Sequence, residues 1–138
     1  MPEPDANPFT YLILRVVPSV ERGERFNVGV VLFCRQRDFL AARVALDSVR
    51  LSALAPGMSP AEVLEVAEHL RALVRVTDGD PDAGPIAVLP ASERFGWLAA
   101  PSSTIVQASE VHTGLSSDPG ATLDGLFDRL VATPAARG

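Results

Sequence analysis

Residues 28–33, VGVVLF, contain no polar side chain, and they follow a charged stretch holding Glu21, Arg22, Glu24 and Arg25 and then Asn27. Six apolar residues fall far short of the roughly 18–20 that a membrane span needs. The run also has no alternating polar position, so a strand made from it must be buried. YLILRVV at 11–17 has the same character apart from Arg15, and Pro18 stops it. It reads as a second strand, covered on both faces.

These runs set the frame for the rest of the chain. Gly29 inside FNVGVVLFC (26–34) predicts a bulge or a close backbone approach. The polar turn RQRD (35–38) leads into FLAARVAL (39–46), which predicts a β-hairpin and three antiparallel neighbours. Asp47 caps a short helix over 48–55, ended by Pro56-Gly57. Ser59, Pro60 and Glu62 spell a capping box with proline at the first helical position. Val63, Val66, Leu70, Leu73 and Val74 then form one helical stripe.

TDGDPDAGP (77–85) is a loop, and SERFGWLAA (92–100) a short helical turn weakened by Gly96. TIVQ (104–107) and EVHTGL (110–115) are short strands. Asp118-Pro119 opens a second amphipathic helix carrying Leu123, Leu126, Phe127, Leu130 and Val131. The expected fold is therefore a single α+β domain over 11–132, a largely antiparallel sheet packed by two main amphipathic helices. A flexible lead at 1–10 and a frayed tail at 133–138 flank it.

Composition narrows the function classes. The chain has 138 residues, 47% of them hydrophobic and 21% charged, which is the profile of a soluble globular domain. The net charge of -5 disfavours nucleic acid and anionic membranes. All 12 basic residues are arginine, which removes lysine-dependent chemistry such as a P-loop lysine or a Schiff base. The acidic, proline-rich start is no signal peptide, and the one cysteine, Cys34, cannot form an internal disulfide, so a cytoplasmic location is expected.

Motif by motif, familiar chemistries fail. Asp78, Asp80 and Asp82 open like a calcium loop, but Ala83 and Leu89 stand where glycine and glutamate are needed. His69, beside Glu65 and Glu68, reads as an exposed helical histidine, and with His112 and Cys34 it is too few for a zinc site. Ser103 or Ser109 with His112 and Asp118 is only a nominal triad, because no nucleophile elbow accompanies it. Cys34 at the end of an apolar strand reads as an inert core thiol. No metal site and no cofactor is assigned.

Two polar segments remain. Glu21–Asn27 contributes Glu21, Arg22, Glu24, Arg25 and Asn27; residues 92–114 contribute Arg94, Trp97, Ser103, Gln107 and His112. Together they have the composition of a recognition cleft, with arginines able to hold an anion bidentately. The structural alternative is that Arg–Glu pairs pin loops over the sheet and Trp97 is core.

VPSVERGERFNVGVVLF, RFGWLAAPSST and VHTGLSSDP resemble a bacterial family called domain of unknown function 3037, over Tyr11 to about Val131. Members of that family are often encoded beside a kinase similar to the HipA toxin kinases. The resemblance implies a partner or regulator of such a kinase and implies no activity. The chain departs from the family pattern at Ser102, where an arginine is expected, and at Ser116, where a cysteine is expected.

The leading expectation is a non-catalytic binding module that docks a protein partner, a HipA-like kinase in a toxin–antitoxin or regulatory setting, with no catalytic residue assigned. The alternative is a small enzyme or a nucleotide- or anion-binding protein, in which His112 is the general base and Arg22 or Arg94 holds an anion.

Overall fold

The computed structural model describes residues 5–19, 21–101 and 104–132. Among these, five strands and four α-helices alternate as β1 (Asn7–Ser19), β2 (Glu24–Cys34), β3 (Phe39–Val44), α1 (Ser48–Leu54), α2 (Pro60–Thr77), α3 (Ala91–Ala99), β4 (Val106–Ala108), β5 (His112–Ser116) and α4 (Pro119–Leu130). The sheet is antiparallel in the order β3-β2-β1-β4, and β5 pairs with the other half of the same edge of β1. This is the α+β domain that the sequence predicts.

Both faces of the sheet are covered, which is why the two central strands have little polar content. On one face Leu12, Leu14, Val16, Phe26, Val28 and Val31 meet Leu51 of α1, Val66, Leu70 and Leu73 of α2, and Phe95 and Leu98 of α3. On the other, Phe9, Val30, Leu32 and Cys34 meet Leu123, Leu126 and Phe127 of α4. Val28 and Val31 share a face although they are three residues apart. The register shift explains it: Leu14 pairs with Gly29 and Arg15 with Asn27, so Val28 is an extra, bulged residue that reverses the alternation. A Cβ at Gly29 would lie 2.8 Å from Val44 Cγ1 and 3.1 Å from the Arg43 carbonyl, so bulge and close approach coincide there.

The helix starts follow their caps. Ser59 accepts from the Glu62 N–H while the Glu62 carboxylate accepts from the Ser59 N–H, with Pro60 opening α2. Asp118 accepts from the Ala121 N–H and opens α4. Asp47 likewise caps α1.

Three expectations change. The lead is shorter than 1–10, because Asn7–Thr10 belong to β1 and pair with β5 residues 113–116. Pro18 does not end β1, which runs on to Ser19 through an irregular stretch of the ladder. The residues 91–99 form a third packed helix, with Gly96 on its exposed side where no neighbour crowds it. The tail at 133–138 lies outside the described residues.

Candidate functional site

The two polar segments part company at the sheet. Arg15 pairs with Asn27 on one side and Gln107 on the other, which places three polar residues in one row across β2, β1 and β4. Arg15 Nε donates to Asn27 Oδ1 (3.4 Å), and Asn27 Nδ2 donates to the Leu130 carbonyl at the end of α4 (2.9 Å). Next along the edge, the His112 ring stacks on Tyr11 at a centroid distance of 5.1 Å, and its Nε2 lies 3.5 Å from Glu110 Oε1. The carboxyl of Glu110 is held below the usual carboxylate range, first by its own backbone N–H and then, against desolvation, by the charges of Arg15, His112 and Arg25. Arg25, Asn27 and His112 therefore gather beside Arg15 and Glu110, on the side of the sheet that α4 covers. Arg22 pairs with Glu24 at the hairpin end, next to exposed Glu21.

Arg94 and Trp97 belong to the opposite face, because α3 packs Phe95 and Leu98 against the α2 side of the sheet. Arg94 sits where α2 ends. Its guanidinium lies against Gly79, and Nη1 donates to the Leu89 carbonyl, while its buried Nε has no partner among the described residues. A cation at that position also suits the negative end of the α2 dipole. Arg94 is therefore committed to holding the 79–89 connection, and His112 lies across the sheet from it. The single cleft expected from Arg22, Arg94 and His112 is not assembled. Ser103 lies outside the described residues.

Trp97 has a different setting. It is 44% exposed and stands at the rim of a cavity of about 270 Å³ floored by Leu14, Leu73, Leu98 and Val106. His69, Thr104 and Gln107 supply its polar lining. Gln107, opposite Arg15 at the sheet edge, donates through Nε2 to the Thr104 carbonyl (3.1 Å) and so borders both sides. His69 is half-buried here, a correction to its reading as an exposed helical residue.

Two of the nominal nucleophiles, Ser109 and Cys34, have structural duties. Buried Ser109 accepts from the Ile13 N–H (2.8 Å) through Oγ and donates to the Glu110 carbonyl. Cys34 is fully buried, with Sγ 3.5 Å from the Pro8 carbonyl. Asp118 serves as the α4 cap. Asp80 pairs with Arg75 and caps the turn at Asp82, so the Asp-rich loop closes on itself. Among the described residues no group of three or more His, Cys, Asp or Glu side chains is placed to hold a metal ion, and no helix is long and apolar enough to cross a membrane.

Sequence reasoning passed over Arg15, Glu110 and the groove position of His69. An arginine inside an otherwise apolar strand, Arg15, is the one local signal that marks the polar row.

The chain belongs to the family described as protein of unknown function (DUF3037), whose profile matches residues 11–131. Comparison with curated proteins and with solved structures returns no match.

Proposed function

We propose that the chain is a non-catalytic docking module that binds a protein partner through the face on which α3 and the β4 edge present Trp97. One observation carries the reading. The sole tryptophan stays half-exposed over a small apolar cavity, where a buried position would be expected of a core residue. Large aromatic side chains of this kind are the usual anchors of interfaces. The structural duties of Ser109, Cys34 and Asp118 favour docking over catalysis at those residues.

The family resemblance makes a HipA-like kinase the partner to test first. Co-expression of the two chains followed by size exclusion at about 10 µM is the experiment, because a complex of micromolar or better affinity stays together there. One shared peak is expected. Separate elution of the two folded chains overturns the reading.

A further inference from the structure

The cavity under Trp97 does not end at His69. A second cavity of about 440 Å³, lined by Met58, Glu62, Glu65 and Ile105, adjoins it, and His69 and Thr104 line both. The two make one groove between α2 and the segment 104–108. Glu62, Glu65, His69 and Leu73 recur at spacings of three and four on α2, so they mark one helix face. At a rise of about 1.5 Å per residue, Glu65 and Leu73 stand roughly 12 Å apart along the helix. An extended chain covers that distance in about four residues.

The two ends differ in chemistry. One is acidic over an apolar floor of Met58, Val66 and Ile105; the other is apolar under the Trp97 indole. Between them the His69 side chain, half-buried, makes no hydrogen bond or ion pair among the described residues. The chain carries a net charge of -5, so the wider field reinforces the acidic end and repels phosphate groups and acidic peptides.

We infer that this groove takes an extended segment of the partner carrying an arginine or lysine four residues from a leucine, methionine or phenylalanine. The cation lies against Glu65 and Glu62, and the apolar side chain enters the cavity under Trp97. The inference rests on the docking reading above and adds the partner's chemistry to it.

Random dodecapeptides displayed on phage and selected against the full chain test this. Enriched peptides are expected to carry a basic residue four positions from an apolar one. Once synthesised, they should change the emission of Trp97, the only tryptophan. Their binding should weaken about tenfold or more for Glu65→Arg, which reverses the charge facing the peptide. Glu65 is exposed and outside the capping box, so an unchanged melting curve shows that this variant folds. Enriched peptides without the cation, or equal binding to parent and Glu65→Arg, overturn the groove assignment. A selection that enriches nothing overturns it too. The docking reading is judged separately by co-elution with the kinase, so a failure of the groove assignment is distinguishable from a failure of the docking reading.

Discussion

Asn27 on β2 donates a 2.9 Å hydrogen bond to the carbonyl of Leu130, 103 residues later, and so ties the last turn of α4 to the sheet. That carbonyl is one of those a helix leaves unpaired at its C-terminus. The same amide accepts from Arg15 through Oδ1, which orients it. Asn27→Ala removes both bonds and is expected to cost about 1–2 kcal/mol of unfolding free energy. Hydrogen exchange should accelerate in the last turn of α4 before it does in α2. Uniform acceleration across both helices would show that the bond does not anchor α4 in particular.

Gly114 is required by an aromatic neighbour. It pairs with Phe9 across β1 and β5, and a Cβ there would lie 2.6 Å from Phe9 Cζ and 2.7 Å from Cε1. Phe9 is buried against α4, so its ring has little room to retreat. Gly114→Ala should destabilise by about 1–3 kcal/mol, the usual range for overpacking. Adding Phe9→Leu shortens the opposing side chain, so the double variant should lose less than the sum of the two single losses. Strict additivity in denaturant melts would dismiss the contact as the cause.

Much of this architecture was legible because its signals are local. Apolar runs bounded by polar turns mark β1, β2 and β3, and Ser59-Pro60 and Asp118-Pro119 mark α2 and α4. What escaped depends on partners distant in sequence. Asn7–Phe9 find their strand partners in β5, which comes back to pair with them. The bulge at Val28 decides which face Asn27 takes, and no local pattern states that outcome. Arg94 and Trp97 look like one site in the sequence, but Arg94 is drawn to the end of α2 and Trp97 to the groove. His69 borders the apolar stripe of α2, and a helical repeat alone cannot distinguish a groove wall from a solvated flank.

Glu110 makes acid stability dependent on the polar row. Its carboxyl titrates lower in the folded chain than in the unfolded one, so the folded state binds fewer protons there. The associated stability is present above the unfolded carboxylate range and disappears as pH falls through the lower folded value. Glu110→Gln should therefore be less stable than the parent near neutrality and converge with it in acid. Glu62 and Asp80 are shifted the same way, but they contribute equally to both proteins and cancel in the difference. Urea midpoints from about pH 3 to pH 7 measure the gap. A gap that stays constant over that range would rule out the titration.

Arg94 and Trp97 stand one turn apart on α3, and they are expected to separate stability from binding. Arg94→Met keeps an unbranched stem, takes the donor from the Leu89 carbonyl, and also removes the buried Nε, which has no partner among the described residues. The lost hydrogen bond and the relieved donor are of similar size, so the net change in stability should stay within about 1 kcal/mol of zero. Association with the proposed kinase partner should be unchanged, because this guanidinium points at the 79–89 connection and not at the groove. Trp97→Ala should differ in its effect on association. Its indole is 44% exposed, so truncation costs less stability than the ~3–5 kcal/mol of a fully buried aromatic. If Trp97 is the proposed anchor, its removal should weaken association by about 2 kcal/mol or more, roughly thirtyfold. Thermal melts and size-exclusion titrations on the two variants settle the assignment. If Arg94→Met abolishes co-elution at an unchanged melting temperature, Arg94 belongs to the interface and its role at the end of α2 is secondary.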